Sequence, residues 1–377
     1  MRFFDHNATT PLFPVARDVW LDVNESHWLN PSSSYRSGAA VHARLEDARR
    51  RLAGLLEVDP DRVIFNSGAT EGNNTVFAHW AHVFTQNAFV GISPTEHPSV
   101  IEAAKFYFRE RLVWLALDRH GAVDLSAVNF EELSALSVMA ANNETGLLNP
   151  WSELAEACRA NGIPFHCDAS QWIGKMSLNG LGKCDFLTGC AHKFGGPKGT
   201  GFLVAPESMS GGLRGGAQEH GRRAGTEDVA GILAMITALE LAEEKRIVCM
   251  EDLKQAFWTK LKQALPDTAN NAPVAPSLWN TLSVVLPEFT SPRWIRALEK
   301  RGFYISAGSA CSTGKSGPSH VLAAMQLEPS RAGRTLRISS GWETSQQDWD
   351  DLLAAILESY DMLRSEAKGS SSQVISI

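Results

Sequence analysis

Cysteine is sparse and unpatterned in this 377-residue chain, with six residues at positions 158, 167, 184, 190, 249 and 311 and no C-x-x-C pair. A disulfide framework suits short secreted chains, and structural zinc needs closely spaced cysteine or histidine pairs, so neither organises this protein. Taken singly, each thiol reads as a small buried hydrophobe. Positive charge is also short. The 35 Lys+Arg against 42 Asp+Glu leave a formal net charge of −7 and a pI near 5.9. That balance argues against a polyanion-binding surface, and so against nucleic acid as a direct partner. No apolar run approaches the roughly 20 residues that a membrane span requires. The opening "MRFFDHNATTP" is too short in apolar residues for a secretory signal. A cytoplasmic protein with no membrane partner is expected. Internal repeats and low-complexity blocks are missing as well.

What is present reads as an ordinary globular chain, 44% hydrophobic and 20% charged, long enough for two or three domains and a large core. From residue 60 to 205, apolar runs alternate with helical segments. The runs at 62–66, 88–93, 112–117, 135–141, 164–168, 185–191 and 200–205 are candidate strands, several of them apolar at successive positions. Strands covered on both faces look like this, and the alternation predicts an α/β layered domain with a mostly parallel sheet. Helices are expected at 98–109 and 151–161, then through a long region from about 226 to 265. A smaller α+β domain follows, with strands at 280–286, 303–307 and 335–340 and helices at 292–301, 319–326 and 346–364. The last residues, "KGSSSQVISI", read as loose.

Three stretches carry candidate chemistry. In "FNSGATEGNN" (65–74) a strand runs into a helix, with Gly68 for the turn and Ser67 and Thr70 as cap residues. Free N–H groups at such a helix start bind anions, commonly phosphate, although a plain capping box ending in Glu71 accounts for the same letters. In "HCDASQ" and "GCAHKFGGPKG", Asp168 ends one strand and Lys193 lies just past the next. Ligands gather beyond the carboxyl ends of parallel strands, so both side chains face one crevice. They could form a structural ion pair. A lysine amine that condenses with an aldehyde, beside an aspartate for a ring nitrogen, is also the pair that pyridoxal phosphate requires. The third stretch, "SAGSACSTGKSG" (306–317), nearly spells a phosphate loop, but the glycine needed at 309 is serine. The better reading is an accessible thiol, Cys311, among small residues, with no nucleotide role for Lys315.

Together these motifs resemble the cysteine desulfurases of the NifS/IscS type, class V aminotransferases of pyridoxal-phosphate fold type I. The resemblance runs in order through "DHNATTP" (5–11), "NPSSS" (30–34), "SGATEGNN", "TEHPSV" (95–100), "NNETG" (142–146), "DASQ", "AHKFGGPKG", "GGAQEHGRRAGTED" (215–228), "SAGSAC" and "LRISSG" (336–341). It implies a large cofactor domain over 14–255 with a mostly parallel seven-stranded sheet, a small α+β domain of 1–13 and 256–365, and a flexible tail over 366–377. Lys193 would carry the cofactor, Asp168 would pair with its ring nitrogen, and His97 would stack on the ring and shuttle protons. Gln171 and Asn143 would bond the ring oxygen or the substrate side. Ala69, Thr70, Cys190 and His192 would hold the phosphate, with Thr226 from the neighbouring subunit. Arg337, with Asn30 nearby, would bind the substrate carboxylate.

Cys311 would be the nucleophile that takes sulfur from L-cysteine as a persulfide, leaving L-alanine. No resident metal is implied, Cys311 being at most a transient iron–sulfur ligand. The partners implied are a second copy of the chain, as a homodimer, and a sulfur-acceptor protein serving iron–sulfur cluster, thio-cofactor or tRNA chemistry. Three positions depart from the pattern: Cys190 where serine is usual, Tyr35 where histidine is common, and Trp342 where a smaller or more polar residue is usual. The chain also ends without the long tail with which the IscS branch docks its scaffold, which leaves the acceptor open. Two alternatives remain: another fold type I enzyme (aminotransferase, lyase or selenocysteine lyase) that does not use Cys311, and a low-activity cofactor-bearing partner in a sulfur-transfer complex.

Overall fold

All seven apolar runs of the first half become strands of one sheet. The structure, a computed structural model, describes residues 2–210, 212–246, 251–272, 276–307 and 319–372. Contacts divide the chain into a larger unit, residues 9–142 and 148–247, and a smaller one, residues 1–8, 143–147 and 248–377.

In the larger unit the strands are β2 (Val63–Asn66), β3 (Val90–Ile92), β4 (Leu112–Trp114), β5 (Ala135–Ser137), β6 (Phe165–Asp168), β7 (Phe186–Cys190) and β8 (Gly201–Val204). They lie in the order β2-β8-β7-β6-β5-β3-β4. The five from β4 to β7 are mutually parallel, while β8 runs antiparallel to both its neighbours. Every residue of β6, β7 and β8 is buried, which explains their continuous apolar runs. Among the described residues this unit has the α-helices α1 (Pro14–Ser26), α2 (Arg36–Leu56), α3 (Ala69–Val83), α4 (Pro98–Phe108), α5 (Trp151–Ala160) and α6 (Val229–Arg246). Helix α3 buries Asn73, Val76, Phe77 and Trp80, one face at helical spacing. With Ile64, Val90, Ile92, Phe108 and Phe186 that face forms a core. The rings of Phe77 and Trp80 meet edge to face, 5.3 Å between centroids.

The smaller unit holds a parallel pair, β1 (Arg2–Phe3) with β11 (Phe303–Tyr304), and a three-stranded antiparallel sheet. That sheet is β9 (Ala269–Asn270), β10 (Thr281–Val285) and β12 (Thr335–Ser339), with β10 in the middle. Its helices are α7 (Glu251–Ala264), α8 (Ser291–Glu299), α9 (His320–Ala324), α10 (Pro329–Ala332) and α11 (Gln346–Ser372). Phe4, Phe257, Trp294, Leu336 and Trp349 centre its core.

The structure departs from the expected organisation in three ways. The helical region at 226–265 is two helices, α6 and α7, that belong to different units. Residues 143–147 join the smaller unit because Leu278 N–H donates to Gly146 O at 2.8 Å and Leu147 bridges to Ser277. The loose tail expected from 366 is helical as far as Ser372. Ala367 packs on the small core and Glu366 pairs with Arg293 at 3.8 Å, which holds the extra turns in place. Among the described residues no helix is long and apolar enough to cross a membrane.

Candidate active site

Strands β6 and β7 lie side by side and parallel, with Asp168 opposite Thr188. Asp168 is the last residue of β6, and the single turn Ala191–Lys193 follows directly on β7. Two candidate functional residues therefore lie at the same carboxyl end of the sheet, as the open parallel topology demands. Asp168 is buried, and its carboxylate accepts from Ser170 N at 3.0 Å and Asn73 Nδ2 at 2.9 Å. The loop carrying Lys193 is clamped by the N-terminal segment. Thr10 donates through N and Oγ1 to His192 O, Gly195 N–H donates to Thr10 Oγ1 at 2.7 Å, and Phe13 N–H donates to Gly195 O. Gly195, at φ 86°, packs against the Phe13 ring, so a side chain there meets both a strained backbone and an aromatic face.

The candidate anion end lies at the start of α3. Gly68 caps the helix at φ 137° and ψ 176°, a conformation open essentially to glycine, and no side chain caps the first turn. Ser67 and Thr70 do not act as caps. Instead Ser67 N–H donates to Glu71 Oε2, and Glu71 pairs with Arg223 at 2.9 Å. Burial raises the Glu71 carboxyl, but the bonds from Arg223 and Ser67 outweigh it and hold the group below its usual range. Ala69 and Thr70 open the helix within that uncapped turn. Cys190 is buried at the end of β7, near Ala69 N–H and Ser170. Burial pushes its thiol up, with the Lys193 charge opposing. His192 is driven down to about 4 by burial and then by the charges of Lys193, Lys198 and Lys175, so its ring is neutral and lies 3.2 Å from Thr9 Oγ1. Gln171 is buried, and its Oε1 accepts from the buried Lys175 Nζ, which leaves Nε2 as the donating end of that amide. His97 sits at the cap of α4, its Nδ1 accepting from Ser99 N–H at 3.1 Å.

These residues fit pyridoxal phosphate. The test is an orphaned polar atom: Ser170 lies close enough to Cys190 to temper its shift, yet Ser170 Oγ is buried and completes no hydrogen bond. A buried hydroxyl without a partner is costly. It sits two residues past an aspartate and within one unit that also holds a lysine, an uncapped helix start and cationic side chains. The same unit has a cavity of about 120 Å³ lined by Asn66, Ser67, Thr200, Arg223, Thr226 and Asp228. Thr226 is exposed there, while Asn30 is exposed elsewhere with its Oδ1 accepting from Ser32 N–H. Tyr35 is half exposed at the start of α2.

In the smaller unit, Arg337 is buried at the centre of β12's pairing with β10. Its Nη2 donates to Asp5 Oδ1 at 2.6 Å and its Nη1 to Asn143 O at 2.9 Å; Asn7 Nδ2 donates to the same carbonyl. The guanidinium is thus already matched to a carboxylate. Trp342 is buried and faces Trp279, 6.4 Å between ring centroids. Cys311 and Lys315 lie outside the described residues. Among the described residues no group of three or more His, Cys, Asp or Glu could hold a metal.

The sequence reading missed Thr10, Lys175, Ser99 and Asn73. Thr10 and Lys175 gave no signal beyond their neighbourhood. Asn73 did: it falls on the apolar stripe 73-76-77-80, and a polar residue there needs partners.

A family model described as aminotransferase class-V matches residues 2–352. The chain is similar to a protein named cysteine desulfurase IscS from Dictyoglomus turgidum, 33% identical over 374 residues, covering 94% of each. Among solved structures it is similar to a NifS-like protein (TM-score 0.88, 30% identity, covering 96% of this chain and 100% of that one). It is also similar to SspA in complex with cysteine (TM-score 0.78, 25% identity, covering 90% and 98%).

Proposed function

The chain belongs to the class-V aminotransferase family, and from that premise we propose how its residues divide the work of a pyridoxal-phosphate-dependent cysteine desulfurase. The enzyme takes sulfur from L-cysteine and leaves L-alanine. Bound pyridoxal phosphate supplies an aldehyde for an amine and an electron-withdrawing ring that takes up the charge left at the substrate Cα. Lys193 would hold that aldehyde and would accept the substrate Cα proton on Nζ. Asp168 would keep a proton on the ring nitrogen, and His97 would cover the ring face. Gln171 Nε2 donates to the ring oxygen. Ala69, Thr70, Cys190 and His192 hold the phosphate, joined by Thr226 of a second copy in a homodimer. Arg337 would exchange its Asp5 contact for the substrate carboxylate, with Asn30 and Asn143 in support; a bidentate fork suits that task.

Cys311, as thiolate, attacks the substrate sulfur. The Cβ–S bond breaks with its electron pair staying on the substrate carbon, which is protonated to alanine, and the sulfur remains on Cys311 as a persulfide. An ordinary thiol is only a few per cent ionised near neutral pH, so a neighbouring group assists. A sulfur-acceptor protein then collects the persulfide sulfur.

The pairing of Asp168 with the Lys193 turn at one edge of β6 and β7 carries this reading, and a cysteine-bound structural relative supports the substrate. The test is to incubate purified protein with L-cysteine and measure alanine and cyanide-labile sulfur together. Equal amounts on the first turnover are expected, none from Lys193→Ala, and no alanine from Cys311→Ala although it still binds cofactor. Alanine formed at the parent rate by Cys311→Ala would overturn the assignment of the nucleophile.

A further inference from the structure

A chain of buried hydrogen bonds in the larger unit ends on Asp168. Ser137 Oγ is 2.8 Å from His166 Nδ1, and His166 Nε2 is 3.4 Å from Thr188 Oγ1. Thr188 Oγ1 is 2.7 Å from Asn73 Oδ1, and Asn73 Nδ2 is 2.9 Å from Asp168 Oδ2. Donor chemistry sets the direction. The amide oxygen of Asn73 only accepts, so the Thr188 hydrogen points to it. The Thr188 oxygen then accepts from His166 Nε2–H, and Ser137 donates to Nδ1. The neutral ring this requires is assured by burial, which holds His166 down to about 4. Every donor in the chain therefore points toward the Asp168 carboxylate.

The same amide branches. Asn73 Nδ2 also donates to Ser99 Oγ at 2.9 Å. Ser99 Oγ lies 2.8 Å from His97 Nδ1, to which Ser99 N–H also donates. A backbone N–H can only donate, so Nδ1 keeps its lone pair and the proton of neutral His97 is on Nε2. Having accepted from Asn73, Ser99 Oγ directs its own hydrogen to the same nitrogen. Three of the four hydrogen-bonding positions of the Asn73 amide are thus used, both N–H donors and one lone pair of Oδ1. Access comes from Gly72, where a Cβ would stand 2.7 Å from Thr188 Cγ2.

We propose that Asn73 is a positioning residue that orients two cofactor-facing groups at once, the Asp168 carboxylate directly and the His97 ring through Ser99. This rests on the reading that Asp168 and His97 face pyridoxal phosphate. The experiment uses reconstituted protein and reads two quantities: the Kd for pyridoxal 5′-phosphate and the pH midpoint of the bound cofactor's long-wavelength absorbance band. Asn73→Ala should weaken binding by about tenfold, the loss of one hydrogen bond to a charged group, and move the midpoint by about one pH unit.

Thr188 supplies a pair of variants that keeps the proposal testable if Asn73→Ala does not fold. Thr188→Val retains the methyl beside Gly72 and loses the hydroxyl; Thr188→Ser does the reverse. Serine at parent values with valine displaced in both readouts supports the proposal. The opposite order, or a folded Asn73→Ala matching the parent in both, overturns it while leaving the functional reading intact. Failure of the parent to bind pyridoxal phosphate at all would remove both.

Discussion

His166 makes the stability of the larger unit depend on pH in a calculable way. Its ring is wholly buried, edge-on to Phe77 and Trp80 at 6.2 and 6.3 Å between centroids. Burial lowers it to about 4, with the Asp168 charge opposing only in part. An unfolded chain returns the imidazole to about 6.5. The folded state therefore refuses a proton that the unfolded state accepts. A depressed histidine contributes stability that is complete above about pH 6.5 and is lost as pH falls toward the folded value near 4. The slope is close to 1.4 kcal/mol per pH unit, or about 3 kcal/mol across the window. His192 is lowered to about 4 as well, so the parent curve contains both contributions. Comparison with His166→Gln isolates one, because His192 is common to the two proteins. The assay is urea unfolding followed by circular dichroism at pH 7, 6, 5 and 4.5. His166→Gln should be less stable at pH 7 yet lose about 2–3 kcal/mol less on acidification. Parallel losses in parent and variant would refute the argument, since they would mean that the ring is no harder to protonate in the fold than out of it.

Three further outcomes are expected. Gly72→Ala places a Cβ 2.7 Å from Thr188 Cγ2 and should cost about 1–3 kcal/mol by overpacking, read as a lowered urea midpoint with unchanged slope. Glu219→Ala strips both carboxylate oxygens from the buried Arg49, which they meet at 2.7 and 2.9 Å. Glu46 stays 3.2 Å from Arg49 Nε, so the loss should cost about 3 kcal/mol, the low end for a broken buried pair, while an Arg49→Met, Glu219→Leu double variant should recover most of it. Cys190→Ser replaces a weak sulfur acceptor beside Ala69 N–H with a stronger donor and acceptor. Cofactor dissociation should slow severalfold, with the unfolding midpoint nearly unchanged; a destabilised protein of unaltered cofactor affinity would place Cys190 in the core alone.

The seven strands and their mostly parallel pairing were legible along the chain because burial on both faces leaves an uninterrupted apolar run, which local composition records. Asp168 and Lys193 were legible for a related reason: the end of a parallel strand is marked where the apolar run stops, and a topology of this class brings such ends together. The N-terminal helices α1 and α2 went unread, and the last helix outran its expected end, since polar faces and a Gly-Ser terminus hide a helix whose stability comes from packing. Which residues serve the site from behind was decided only by tertiary structure. Thr10 and Thr188 are unremarkable letters whose hydrogen bonds span 185 and 115 positions of sequence, and no local pattern encodes a partner at that distance. Asn73 stands between the two cases. Its place on an apolar stripe said that it needed partners, and only the packing of α3 against β7 at Gly72 determined that they are Asp168, Ser99 and Thr188.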